Sequence, residues 1–234
     1  MCGIAGLVGD IPSRAILERM QKTMRRRGPD QEGIWQRDSA ALIHARLAVI
    51  DIEGGRQPMT RWAGEKKYCM VYNGELYNTA ELRRRLEACG HSFSTHSDTE
   101  VVLASYLEWG EACLDLFNGI YAFAVWDIRK KSLFFARDRI GVKPLFFTEK
   151  NGNFLFASEI KTLLAHPDID ARIDVNAVAE LMLVGPGRTP GYGVFCGIHG
   201  GPAGWCGTYS QREGVHLRQY WKLKDREHTD STEE

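Results

Sequence analysis

A cysteine stands directly behind the initiator methionine, and that placement can make a catalyst of one residue. Cysteine is small enough for Met1 to be trimmed. Trimming leaves Cys2 with a thiol and a free α-amine, whose ordinary pKa of about 7.7–8.0 lets it take a proton near neutral pH. A nucleophile activated by its own terminal amine is an established solution for attacking amides. Gly3, with no side chain, is expected to let substrate and neighbouring backbone approach the sulfur. Taken alone, Cys2 reads more readily as an ordinary N-terminal residue.

A glutamine side chain as target would set three further demands. Its α-carboxylate needs a cation, its α-ammonium an anion, and its amide oxygen needs donors where negative charge develops. Three segments carry such groups. His44 to Ile50 contains Arg46, and arginine can grip a carboxylate through two parallel N–H bonds; a lone arginine is more often a surface residue. Tyr72-Asn73-Gly74-Glu75 follows an apolar run. The Asn73 side-chain NH2 and the Gly74 N–H could together form an oxyanion hole, although Asn-Gly is more commonly a plain turn. Ser97-Asp98-Thr99-Glu100 opens a helix, so Asp98 either caps it or receives the substrate ammonium.

Short elements must hold these segments. Ile4 to Gly9 reads as a strand, and Pro12-Ser13 starts a helix with Ile16, Leu17, Met20 and Met24 at helical spacing, ended by Gly28. Extended stretches follow at Glu32 to Trp35, Ala40 to Ala45 and Tyr68 to Tyr72. Thr79 to Cys89 places Leu82 and Leu86 among charges, an amphipathic helix stopped by Gly90. Glu100 to Trp109 is a second helix. Ala122 to Asp127 and Ser132 to Arg137 form one hairpin, Leu145 to Thr148 and Phe154 to Ser158 another, and Val175 to Val184 is helical. Hairpin-paired strands with helices in blocks imply an antiparallel, layered α+β domain rather than βαβ units. Gly185 to Gly214, with Pro186, Pro190 and Pro202, reads as a loop or linker, and the polar last ten residues as disordered.

Composition narrows the class. The chain has 234 residues, enough for one sizeable core, and its 30 basic and 30 acidic residues cancel. That balance argues against nucleic acid or an anionic membrane as partner. No apolar run approaches the roughly 20 residues of a membrane span, and MCGIAGLVGD lacks the basic region and cleavage site of a signal peptide. The six cysteines include no C-x-x-C pair and no zinc-like spacing, so no metal site is expected. They read as thiols of a reducing cytoplasm.

The stretches MCGIAG, RRGPDQEG, HARLAVIDIEGGRQPM, YNGELYN, SDTEVVL, NGIYAFAVWD and ARDRIGVKPLF stand in an order that resembles the glutaminase domain of class II, N-terminal-nucleophile glutamine amidotransferases. RLAVID favours the branch of glutamine-dependent asparagine synthetase over glucosamine-phosphate synthase and amidophosphoribosyltransferase. The likeness covers about residues 1 to 183; GPGRTPGYGVFCGI and RQYWKL still resemble the connector, while HGGPAGWCGTYS departs from it.

The resemblance implies a four-layer αββα sandwich with two antiparallel sheets. It implies Cys2 as nucleophile and base, and Asn73 and Gly74 as the oxyanion hole. Arg46 would hold the α-carboxylate, with backbone groups of Leu47, Ala48, Val49 and Ile50 lining the pocket, and Glu75 and Asp98 at the amino end. Arg26, Gly28, Pro29 and Asp30 belong to the family signature without a role derivable from the residues. Residues 1–184 would be the glutaminase domain and 185–234 a connector and polar tail toward a synthetase partner. Cofactors are expected only there: ATP and magnesium need a Ser-Gly-Gly-Leu-Asp-Ser loop, and Gly200-Gly201-Pro202-Ala203 lacks its hydroxyls. Trp205, Trp221 and the helix near Glu180 to Val184 would face the partner, and when uncovered favour a homodimer. The alternatives are a non-catalytic glutamine-binding regulatory module, an acylase for another amide, and a glutaminase serving another amidotransferase.

Overall fold

Runs of small and β-branched apolar residues become strands here because both faces of each are covered. A computed structural model describes residues 1–185, 189, 191 and 193–225. The chain runs through β1 (Gly3–Val8), α1 (Arg14–Thr23), β2 (Gln31–Arg37), β3 (Ala40–Arg46), β4 (Met59–Ala63), β5 (Lys66–Leu76), α2 (Thr79–Ala88), α3 (Asp98–Trp109) and α4 (Cys113–Leu116). It continues through β6 (Gly119–Asp127), β7 (Ser132–Arg137), β8 (Phe146–Lys150), β9 (Asn153–Ala157), α5 (Ile160–Leu164), α6 (Val175–Val184), β10 (His199–Gly200), β11 (Trp205–Ser210) and β12 (Gly214–Gln219).

The strands form two antiparallel sheets, ordered β10-β8-β9-β1-β3-β2 and β12-β11-β7-β6-β5-β4. The sheets pack face to face over Ile4, Leu42, Phe154 and Phe156 from the first and Val71, Ala124, Trp126 and Phe135 from the second. Because side chains alternate along a strand, Ala5 and Leu7 point the other way, onto Leu17, Met20 and Leu163 of α1 and α5. The outer face of the second sheet, with Met70 and Phe123, meets Leu82 and Leu86 of α2 and Val101 and Val102 of α3. Helices, sheet, sheet, helices is the expected αββα layering.

Several boundaries differ from the sequence reading. The first helix ends at Thr23, and residues 24–27 form a turn before Gly28. Gly28 is required for another reason: a Cβ there would stand 2.1 Å from the Ala45 carbonyl oxygen. The Asn-Gly pair is no turn, since Asn73 and Gly74 lie within eleven-residue β5, opposite Ala122 and Tyr121 of β6. The proposed boundary at residue 184 does not separate a domain from a connector. β10 pairs with β8, and β11 sits between β7 and β12, so residues 199–219 extend both sheets. Glycine hid these strands from composition; Gly207, for one, lies where a Cβ would meet the Phe135 ring at 2.6 Å. Residues 226–234, read as a disordered tail, lie outside the described residues.

Candidate active site

Cys2 immediately precedes β1, which lies between β9 and β3, so the residue emerges from the middle of a sheet. Its carbonyl oxygen accepts from Arg27 Nε at 2.9 Å, and its Sγ lies 3.5 Å from the Leu47 carbonyl oxygen, to which it donates. Gly3 serves packing rather than substrate access: a Cβ would meet Met24 Cβ at 2.9 Å. The arginine-rich signature thereby gains roles. Arg27 fixes Cys2, and Asp30 Oδ2 accepts from the Ala48 N–H at 2.8 Å, tethering the loop that follows β3.

β4 pairs with β5 only from Lys66 to Met70, leaving the rest of that edge without a neighbouring strand. Gln57 fills the gap at Tyr72. Its Oε1 accepts from the Tyr72 N–H at 2.6 Å and its Nε2 donates to the Tyr72 carbonyl at 3.0 Å, as a partner backbone would. His44 Nε2 approaches the same carbonyl at 3.2 Å; burial lowers this imidazole to a pKa of about 4, so the ring is neutral and Nε2 is the donor. The next residue, Asn73, is 1% exposed and its Nδ2 finds no hydrogen-bond partner. An orphaned buried donor costs about 1–3 kcal/mol, which is tolerable where a substrate supplies the missing acceptor. Gly74 has no room for a side chain, since a Cβ would meet the Ile120 carbonyl oxygen and the Tyr72 ring at 2.6 Å.

Ser97, not Asp98, caps α3: its hydroxyl accepts from the Glu100 N–H. Asp98 is thereby free to face the site, where its Oδ2 accepts from Tyr72 Oη at 2.8 Å and the Leu76 N–H at 3.2 Å. Burial pushes the Asp98 carboxyl up, against the pull of these donors.

Arg46 is buried, and its guanidinium is more occupied than expected. Nη1 donates to Gln31 Oε1 at 2.8 Å and the Ile52 carbonyl at 2.6 Å; Nη2 donates to the carbonyls of Ile50 at 3.0 Å and Asp51 at 2.6 Å. Of its five N–H groups, three thus pin the loop after β3 and a fourth is held by Gln31 on β2. Only Nε is uncommitted by these bonds, so Arg46 offers charge and one donor rather than the two-pronged grip the sequence suggested.

One cleft of about 200 Å³ gathers these groups. Cys2, Arg46, Leu47, Val49, Ile50, Asn73, Gly74, Glu75 and Asp98 all line it. Ala48 does not; its N–H is turned to Asp30. Met1 also lines the cleft, and with Met1 attached the Cys2 nitrogen is a peptide amide. Sequence reasoning passed over Gln57, Tyr72, Thr99 and Lys143, which complete the wall. Each lies inside a recognised stretch, but none has a spacing that marks it. Burial pushes the Cys2 thiol up, while the Leu47 backbone hydrogen bond, the chain's N-terminal charge, Arg46 and Lys143 act to lower it.

A family model described as a glutamine amidotransferase domain matches residues 1–221. The chain belongs to this family. That match runs through β12, in keeping with the strands that follow residue 184. Among curated relatives, asparagine synthetase [glutamine-hydrolyzing] 3 of Bacillus subtilis is 48% identical over 99% of this chain and 38% of its own length. Putative asparagine synthetase [glutamine-hydrolyzing] 2 of Methanocaldococcus jannaschii is 35% identical over 81% of this chain and 40% of its own length. The chain therefore spans about two fifths of the length of these relatives. The glutamine phosphoribosylpyrophosphate amidotransferase of B. subtilis, solved with ADP and GMP, shares the fold at a TM-score of 0.73 and 20% identity, over 96% of this chain and 50% of that one. The branch read from RLAVID agrees with the curated relatives. No helix among the described residues is long and apolar enough to cross a membrane.

Proposed function

We propose that this glutamine amidotransferase domain hydrolyses glutamine to glutamate and ammonia with Cys2 as the nucleophile. Once Met1 is removed, the α-amine of Cys2 takes the thiol proton and Sγ attacks the amide carbon. A C–S bond forms and the oxygen becomes an oxyanion, held by Asn73 Nδ2 and the Gly74 N–H. The oxyanion collapses, the C–N bond breaks, and the α-ammonium returns its proton to the departing ammonia. Water then attacks the thioester, giving glutamate and the free thiol. Asp98 and Glu75 receive the substrate ammonium. The α-carboxylate lies toward Arg46 and the backbone of Leu47 to Ile50.

The observation that carries this reading is the unpartnered Nδ2 of Asn73 in the wall of the cleft that holds Cys2. The ammonia acceptor is ATP-activated aspartate, processed in a cytoplasmic synthetase part outside this chain, with which it would pair. The names of the relatives and the fraction of their length matched here support this assignment. ATP and magnesium serve that step alone.

The test is ammonia release from glutamine by the purified chain, first checked by mass for loss of Met1, without ATP, magnesium or aspartate. Cys2→Ala should abolish turnover and keep glutamine binding. More than a trace of turnover in Cys2→Ala would sink the mechanism. Asparagine formed by the chain alone would sink the assignment of the acceptor step to another part.

A further inference from the structure

Lys143 is a buried cation without a counter-ion among the described residues. It sits in the turn between β7 and β8 with 8% of its surface exposed. The backbone on both sides of its Cα is fixed, its N–H donating to Asp138 Oδ2 at 2.9 Å and its carbonyl accepting from Arg137 Nε at 2.7 Å. The side chain lines the same cleft as Cys2, and its ammonium makes no hydrogen bond or ion pair with any described residue. Taking a lone ammonium out of water is unfavourable. A fold that retains one in a cleft places it where negative charge appears during the reaction.

The neighbouring groups leave that task to Lys143. Arg46 gives three N–H groups to loop carbonyls and a fourth to Gln31 Oε1, and Arg27 gives Nε to the Cys2 carbonyl. Arg137 is spent on the carbonyls of Gly141, Lys143 and Gly201. The Asp138 carboxylate accepts from four backbone N–H groups, those of Tyr121, Ile140, Val142 and Lys143. Elsewhere on the cleft wall, Asp98 is bound to the neutral Tyr72 phenol, Glu75 lies at the exposed rim, and the neutral His44 is packed behind Tyr72.

We propose that Lys143 is a positioning residue of the glutaminase reaction, whose ammonium stabilises the negative charge on Cys2 Sγ as the thiol gives up its proton. The inference rests on Cys2 being the nucleophile. The electrostatics agree in direction, since burial raises the Cys2 thiol and Lys143 opposes that rise.

Two measurements on the Met1-free chain test this, comparing wild type with Lys143→Met and Lys143→Arg. The first is the pH dependence of Cys2 alkylation by iodoacetamide, read by mass on the Cys2 peptide with no glutamine present. The second is the pH profile of kcat/KM for ammonia release. Lys143→Met should move both profiles to higher pH by about one unit, with Lys143→Arg restoring the wild-type position. At pH values below the wild-type midpoint that shift reads as about tenfold slower alkylation. A folded Lys143→Met chain with an unmoved alkylation profile overturns the proposal. So does a raised KM with both profiles unmoved, which would make Lys143 a contact for the substrate carboxylate. If Lys143→Met does not fold, Lys143→Gln is read by the same criteria. A wild type that alkylates normally but releases no ammonia refutes the glutaminase reading instead, and leaves the alkylation comparison to decide the role of Lys143.

Discussion

Replacing Asn73 by alanine should damage catalysis while sparing the fold, and the opposite signs make it a sharp test. In the free protein Nδ2 is buried and has no acceptor. The fold therefore carries an unsatisfied donor, a penalty of about 1–3 kcal/mol. Asn73→Ala removes that penalty and leaves a small void beside an open cleft, which water can fill. For a chain of this size 1 kcal/mol corresponds to about 2–4 °C in Tm, so Tm should stay near wild type or rise by a few degrees. In the transition state the same Nδ2 faces an oxyanion, and losing one such donor costs about 10²–10³ in kcat. KM should change little, because the charge it meets does not exist in bound glutamine. Steady-state ammonia release paired with thermal melts reads all three quantities. A Tm lowered by about 5 °C or more with kcat within about threefold of wild type would refute the reasoning. It would show that Asn73 is bonded inside the fold and that its position in the cleft is incidental.

Arg46→Ala should raise KM about 10–100-fold, the worth of hydrogen bonds to a charged group. It should also lower Tm, because the carbonyls of residues 50–52 lose their common donor; an unchanged KM would remove Arg46 from the pocket. His44 makes stability depend on pH. Its folded pKa, lowered to about 4, lies below its ordinary value of 6.5. The stabilisation is therefore present above pH 6.5 and is lost as pH falls toward 4. Urea unfolding at pH 7.0 and 4.5 should show wild type losing about 2–3 kcal/mol more than His44→Gln; equal losses would mean the ring is protonated in the folded chain.

The sequence displayed what depends on local pattern. Ser132 to Arg137 and Val175 to Val184 match their observed elements to the residue, because their apolar runs end at turn-forming or glycine-rich chain. Cys2, Asn73, Gly74 and Asp98 were readable as separate groups, and the structure brings them to one cleft. What escaped was set by partners distant in the chain. β11 lies within a glycine-rich stretch, yet it pairs with β7, roughly seventy residues earlier in sequence. Asn73-Gly74 has the local preference of a turn, and nine register pairs with β6 override it. Gln57 acts as a strand substitute only because β4 stops short. Lys143 looked like one charge among thirty until burial distinguished it.

The central position of β1 also sets a clock. The strand behind Cys2 is flanked by β3, at residues 40–46, and by β9, at residues 153–157. Chain termini usually fray; this one is held on both sides, but only after its second neighbour has been made. At a synthesis rate of about 5–20 residues per second, the interval between the appearance of residue 2 and residue 157 is about 8–30 s. During that interval the N-terminus projects from an incomplete sheet, and the proposed trimming of Met1 can proceed on an accessible end. Maturation and folding are thus ordered by the direction of synthesis: the residue proposed to do the chemistry is made well before the second of the two strands that hold it in place.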